Sequence, residues 1–216
     1  MDGKKMKILV SAGPTREYID PIRFISNPST GKMGYLIAEY AKKNGFDVIL
    51  VSGPTYLNPP AGVKFIRVES AREMEKEILK YFPKVDLLIM CAAVSDWRPY
   101  KKFKNKIKRK KEWLLKLVPN PDILKKVSKI KKENQKIVGF ALETENIIEN
   151  AKKKLNEKKL DLIVGNTPEF FGEGKRGDVY FIFNNGKILK FKIKKEKLPS
   201  ILFEKLGIIK NEKEYC

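Results

Sequence analysis

The chain has no histidine, which excludes His-based triads, a histidine general base and the commonest zinc sites. Cysteine is nearly as scarce. Cys91 and Cys216 cannot make a disulfide framework, so free thiols are expected. Long apolar runs are missing too: no segment approaches the ~18 apolar residues of a membrane span. The stretch from Met1 to Lys7 has no apolar core of a signal peptide, so the chain reads as cytoplasmic with no membrane partner. Acidic residues are outnumbered, 26 Asp and Glu against 46 Lys and Arg, for a net charge of +20. Catalysis must therefore rest on Lys, Arg, Asp, Asn, backbone donors and a hydrated divalent ion. The charge asks for an anionic partner: nucleic acid, an acidic surface or a phosphorylated small molecule. A Lys-rich solvated surface of the heat-adapted kind accounts for most of it without any partner.

With 216 residues and 42% hydrophobic content, the chain can bury an ordinary α/β core. It is organised around Ser11 to Gly34, which follows the apolar run Ile8 to Val10 and leads into a helical pattern from Met33. Leu36, Ile37, Tyr40 and Ala41 recur at three- and four-residue spacing, Asn44-Gly45 supplies a stop, and Asp47 to Ser52 completes a βαβ unit. In such a unit the loop after the first strand gathers backbone N–H groups and the positive end of the helix dipole, which suits an anion. Gly13, Gly31 and Gly34 let the main chain approach such a ligand closely. The spacing is not G-x-G-x-x-G. Nor is it a Walker A loop, because Met33 follows Gly31-Lys32 and Ser26 stands where the first glycine belongs. A connection that only makes a tight turn is the competing interpretation.

Further along, Val63 to Val68 alternates into a strand, and Ser70 caps a helix with Glu73 completing a capping box and Met74, Ile78 and Leu79 facing inward. Val85 to Ala93 is nearly continuous in its apolar character, as a central parallel strand requires. Ligands in open α/β sheets bind beyond the carboxyl ends of strands, so this strand and the first should present their loops side by side. There Ala92 and Ala93 leave room, and Asp96 is either a ligand acceptor or a turn former. From Arg98 to Lys116 the chain is densely basic, with Tyr100, Phe103 and Trp113 interleaved. That segment is either a nucleic-acid-binding arm or a flap over a polyphosphate, and its place at the ligand end of the sheet favours the flap. Asn120 then caps a helix with Pro121 at its first position, Lys136 to Leu142 is a strand, Ile147, Ile148, Ala151 and Leu155 mark a helix, and Asp161 to Asn166 is a strand. After Thr167 the alternation stops. A loop with Phe170-Phe171 and glycines to Gly177 precedes a hairpin at about 178–193, with Asn185-Gly186 favouring a type I′ turn, and a helix near Leu198 to Leu206. The whole of 1–216 is expected to be one α/β domain: a Rossmann-like open sheet, mostly parallel, with helices on both faces, a flexible basic flap at about 98–112, kept mobile by its own charge, and a C-terminal β-hairpin.

Several stretches in order carry a further likeness: Ala12-Gly-Pro-Thr-Arg-Glu17, Ile22-Arg-Phe-Ile-Ser-Asn27, Ser29-Thr-Gly-Lys-Met-Gly34, Ala92-Ala-Val-Ser-Asp96, Lys106-Ile-Lys108, Asn120-Pro-Asp-Ile-Leu124 and Gly139-Phe-Ala-Leu-Glu-Thr144. From about Lys7 to Gly207 the chain resembles the phosphopantothenate–cysteine ligase family, one half of the bifunctional bacterial coenzyme A biosynthesis protein. The resemblance implies a homodimer. It implies that 4′-phosphopantothenate is activated by a nucleoside triphosphate, usually CTP, with Mg²⁺ or Mn²⁺, to an acyl-nucleotide and pyrophosphate, and that L-cysteine then displaces the nucleotide. Charge neutralisation and positioning suffice for this chemistry, which needs no histidine.

By matching position the resemblance makes Asn27 a catalytic residue that handles the acyl intermediate, and Lys106 the flap lysine facing the phosphates. Arg23 should reach phosphopantothenate across the dimer, with Asn27, Ala92, Ala93 and Asp96 around the same substrate. Gly13, Ser29, Gly31 and Gly34 should line the triphosphate, and Met90, Cys91, Ala92, Asp96, Pro121, Asp122, Ile123, Leu124, Phe140, Lys154, Lys158 and Asn166 the rest of the nucleotide. The metal ligands stay unassigned. Departures are Leu142, where the family usually has a small residue, and the longer basic run at 108–111. The family's flavin-dependent decarboxylase half is not in this sequence, which is either a free-standing ligase or an excised half; no flavin is expected in this chain, and a phosphopantothenoylcysteine decarboxylase is an expected partner. The rival functions are nucleic-acid binding through 98–116 and an NAD(P)-linked oxidoreductase, for which the fingerprint spacing is lacking.

Overall fold

The computed structural model describes residues 5–109, 111–171 and 176–209. Strand β1 (Lys7–Ala12) leads through a small ribbon, β2 (Arg16–Tyr18) and β3 (Phe24–Ser26), to helix α1 (Lys32–Lys43). Next come β4 (Asp47–Ser52), β5 (Lys64–Arg67) and α2 (Ala71–Tyr81). β6 (Leu87–Met90) runs into a second ribbon, β7 (Trp97–Pro99) and β8 (Leu117–Pro119), followed by α3 (Ile123–Lys129), β9 (Lys136–Leu142), α4 (Ile147–Glu157) and β10 (Leu162–Asn166). β11 (Arg176–Phe183), β12 (Ile188–Lys194) and α5 (Leu198–Lys205) end the described chain. Cys216, Lys110 of the basic run and residues 172–175 of the glycine loop lie outside the described residues.

The main sheet has eight strands in the order β12-β11-β10-β9-β6-β1-β4-β5, parallel from β10 to β5 and antiparallel through β11 and β12. The chain leaves β1 for one edge and returns on its other side with β6, so the topological switch point lies between these two strands. Alternation along β1 sends Ile8, Val10 and Ala12 to the layer of α1 and α5, and Leu9 to the layer of α2, α3 and α4. Burial on both faces is why these strands read as continuous apolar runs.

Four local expectations are revised. The buried face of α1 is Gly34, Tyr35, Ile37, Ala38 and Ala41, with Leu36 and Tyr40 only half-buried. The helix turns toward the sheet at Gly34, where a Cβ would stand 2.5 Å from that of Ala12. Helix α3 is capped by Asp122, whose carboxylate accepts from the Lys125 amide at 3.0 Å. Asn120 is occupied elsewhere, its amide on the Asp96 carbonyl and its side chain on that of Ser95. In the C-terminal hairpin only Gly186 of the turn has positive φ, 85°. The Phe183 amide bonds the Lys187 carbonyl and the Gly186 amide that of Phe183, so the loop 184–186 ends in a glycine bulge instead of a type I′ turn. Finally, β6 stops at Met90, and Cys91 to Ala93 leave the sheet.

Candidate active site

Beyond their sheet pairing, the chains leaving β1 and β6 stay joined. The Ala93 amide donates to the Gly13 carbonyl at 2.9 Å, the Thr15 amide to the Ala93 carbonyl at 3.3 Å, and Pro14 and Ala93 form a parallel bridge. Thr15 Oγ1 accepts from the Ser95 amide at 2.9 Å, which carries the junction on toward Asp96. Asn27 closes it from the side: its Nδ2 donates to the carbonyls of Ala93 and Val94 at 3.1 and 3.3 Å. With the amide nitrogen so engaged, Oδ1 is the end of Asn27 left for a ligand.

A cavity of about 550 Å³ opens here, at the switch point. One wall is Asn27, Ser29, Gly31, Lys32 and Gly34; the opposite one is Phe140, Leu142, Lys154 and Asn166, with Cys91, Ala92, Ala93 and Asp96 as floor. α1 follows Gly31, which has φ 78° and no side chain to cap the helix; Ser29 Oγ and Thr30 Oγ1 take the Gly31 and Lys32 amides at 3.3 and 3.4 Å, and the next first-turn amides, of Met33 and Gly34, and the helix dipole lie at the cavity wall. A smaller recess of about 180 Å³ adjoins it, bounded by Met90, Asn120, Asp122, Ile123, Leu124 and Lys158 and sharing Ala92, Asp96, Phe140 and Lys154 with the first. Pro121 lines this recess as well. Gly13 lines neither cavity. It lies behind the wall, where a Cβ would be 2.9 Å from both the Gly53 carbonyl oxygen and Thr55 Cγ2.

The charged groups are graded by burial. Lys154 donates to the Phe140 carbonyl at 2.8 Å, and burial, then the neighbouring Lys158, hold its ammonium below the usual lysine range. Lys158 pairs with Asp122 at 3.0 Å. Burial works against the Asp122 charge, but the Lys125 amide and the two lysines outweigh it and lower its carboxyl. Although Cys91 is partly accessible, burial pushes its thiol up to about 12, which leaves it neutral and unreactive.

The flap, expected from its charge to be flexible, is tied down in its described residues. Its ends pair as β7 and β8, and its middle is tied to the β2–β3 turn: the Phe103 amide donates to the Ile19 carbonyl at 2.8 Å and the Ile107 amide to Asp20 at 3.1 Å. Arg23 bonds both Asp20 and the Ile107 carbonyl, each at 2.6 Å. Neither Arg23 nor Lys106 lines the cavities in the single chain.

Sequence reasoning missed Lys195, which is 5% exposed, lines the large cavity and lies over the Phe170 ring at 5.8 Å. Lys32 and Phe171 were also unassigned there. Lys195 follows the hairpin as one lysine among many, and only the path of the chain brings it back to the carboxyl end of the sheet. No three of His, Cys, Asp or Glu gather to hold a metal among the described residues, and none of their helices is long and apolar enough to cross a membrane.

Comparison with known proteins gives a consistent result. The family described as DNA/pantothenate metabolism flavoprotein C-terminal domain matches residues 3–207. A coenzyme A biosynthesis bifunctional protein CoaBC of Borreliella burgdorferi is 45% identical over 182 residues, 83% of this chain and 46% of that protein. Its Bacillus subtilis counterpart is 45% identical over 184 residues, 84% of this chain and 45% of that one. The chain thus spans about half the length of these relatives. A crystal structure of the C-terminal domain of CoaBC superposes with a TM-score of 0.80 at 38% identity, covering 94% of each chain. A DNA/pantothenate metabolism flavoprotein from Streptococcus pneumoniae gives 0.82 at 25% identity, covering 94% of this chain and 98% of that one.

Proposed function

The chain belongs to the DNA/pantothenate metabolism flavoprotein C-terminal domain family, and from that premise we propose that it is a phosphopantothenate–cysteine ligase of coenzyme A biosynthesis. The supporting observation is the switch-point cavity, where the start of α1, Asn27 and Lys154 converge on one space. A further likeness in fold is to a Cab2 mutant in complex with phosphopantothenate-cysteine, with a TM-score of 0.73 at 17% identity, covering 94% of this chain and 87% of that one.

In this reading the carboxylate of 4′-phosphopantothenate attacks the α-phosphorus of a nucleoside triphosphate, CTP by preference, and pyrophosphate leaves. The amine of L-cysteine then attacks the activated carbonyl carbon, forming the amide and releasing the nucleoside monophosphate. The first turn of α1, at Gly34, offers its main-chain amide to the phosphates beside Ser29 and Gly31 of the same wall, and Lys154 and Lys158 add positive charge where base and sugar meet the phosphate tail. Gly13 acts from behind, by letting its loop pack tightly. Magnesium suits this site as a passenger on the triphosphate: it keeps much of its water shell and needs few carboxylates, and Asp96, which borders both cavities, is the protein oxygen placed to meet it. Such an ion would neutralise phosphate charge. Oδ1 of Asn27 accepts a hydrogen bond from the incoming amine and so aims its lone pair at the carbonyl carbon.

Arg23 and Lys106 reach the ligands when a second copy of the chain covers the two ribbons. Ile22 (61% exposed), Trp97 (53%) and Leu117 (39%) make this an apolar face that a homodimer would bury. A decarboxylase acting on the product is the expected partner. The test is pyrophosphate release from the purified chain given 4′-phosphopantothenate, Mg²⁺ and CTP, ATP, UTP or GTP in turn, with and without cysteine. Release that needs phosphopantothenate, with phosphopantothenoylcysteine formed only when cysteine is present, is expected; no release with any nucleotide would refute the ligase.

A further inference from the structure

Two cations of the proposed reaction, Arg23 and Lys106, come from segments far apart in sequence, and one carboxylate ties them together. The Asp20 side chain is fully buried, at 0% exposure. Its Oδ1 accepts from the amides of Ile22 and Arg23, both at 2.9 Å, which closes the β2–β3 turn. Its Oδ2 accepts from Arg23 Nε at 3.0 Å, Arg23 Nη2 at 2.6 Å and the Ile107 amide at 3.1 Å. Arg23 Nη2 returns to the Ile107 carbonyl at 2.6 Å. These contacts use the acceptor capacity of the carboxylate, so Asp20 has none left for a ligand. Closing the turn would need only Oδ1. The Oδ2 half reaches across to the flap, to the residue next to Lys106.

We propose that Asp20 is a positioning residue that holds Arg23 and the Lys106 segment in one register, so that both cations meet an anionic ligand as a preformed pair. What the two cations do to a ligand rests on the ligase reading; their coupling through Asp20 does not. Burial alone would favour the neutral acid, but the amides of Ile22, Arg23 and Ile107 and the guanidinium hold the Asp20 carboxyl well below the usual range, so the tie persists across neutral pH.

The two oxygens allow a selective test in the intact chain. Asp20→Asn keeps an acceptor for the Ile22 and Arg23 amides but sets an NH₂ against the Ile107 amide and the guanidinium, so the turn stays and the tie to the flap breaks. Hydrogen exchange at the Ile107 amide should then quicken by about tenfold or more while core amides such as Val138 and Ile163 hold their protection. Pyrophosphate release should fall at least to the level of Lys106→Gln with the KM for nucleotide unchanged, and in the double variant the two losses should combine to less than their product. Unchanged exchange at Ile107, or losses that multiply in the double variant, would overturn the proposal. In the unaltered chain, Ile107 should exchange more slowly than its flap neighbours; equal exchange there overturns it whether or not the variant folds. Should the unaltered chain release no pyrophosphate, the ligase reading fails and the exchange results alone decide the coupling.

Discussion

The cavity and the flap are held in two different ways. On the sheet side, position is set by backbone packed against backbone: a Cβ on Gly53 would stand 1.8 Å from the Pro14 carbonyl oxygen, and one on Gly34 2.5 Å from Ala12 Cβ. On the flap side, Tyr100 and Leu114 are exposed and the segment hangs on a few hydrogen bonds to Ile19, Asp20 and Arg23. The first kind cannot yield unless the fold does, whereas the second can open at the cost of a few bonds. Ligand geometry and stability should therefore be inseparable on the sheet side, and rate and stability separable on the flap.

The largest expected effect tests the sheet side at its most chemical point. Asn27→Ala should cut amide formation by about 10²–10³-fold, the usual loss for a preorganised polar group, while pyrophosphate release continues. Equal loss in both steps, read by parallel pyrophosphate and product assays, would mean that Asn27 merely holds the Ala93–Val94 loop. Next, Gly53→Ala should destabilise the fold by about 1–3 kcal/mol or more, because backbone must move to admit the methyl; an unchanged melting midpoint would show this wall to be as yielding as the flap. Lys106→Gln should slow pyrophosphate release by about tenfold and leave stability within about 0.5 kcal/mol. A fall in melting midpoint there would break the comparison from the other side.

The same contrast governs what could be read from the sequence. The sheet, its helices and the pairing of the β1 and β6 loops follow from apolar periodicity and local caps, both of which a single chain displays. The Ser70 cap is one case, its Oγ accepting from the Glu73 amide at 3.3 Å. The two ribbons were illegible because Arg16–Tyr18 and Trp97–Pro99 are too short to show alternation. Asp20 carries no signal of its own in the sequence, and nothing in its neighbourhood announces a bond to Ile107. Lys195 was hidden for a related reason: a buried lysine carries no local signature in a chain with 46 Lys and Arg. Long-range single contacts are what one sequence leaves out, and the flap is made of them.

The smallest effect separates the cations of the two sides. Lys154 belongs to the rigid wall, where burial and then Lys158 lower its pKa, against the opposing pull of Glu143, Asp96 and Asp122. An anionic nucleotide placed beside it would favour the ammonium and raise that pKa again. Between the lowered value of the free protein and the raised value of the complex, the complex holds more protons than its separated parts. Binding must then take up part of a proton, and affinity must strengthen as pH falls through that window. Calorimetry of nucleotide binding in alkaline buffers of different ionisation enthalpy measures the uptake directly. Lys154→Gln should abolish it, whereas Lys106→Gln should leave it intact. Uptake that survives Lys154→Gln would place the titrating group elsewhere and take from the rigid wall the one charge whose burial the ligand is expected to offset.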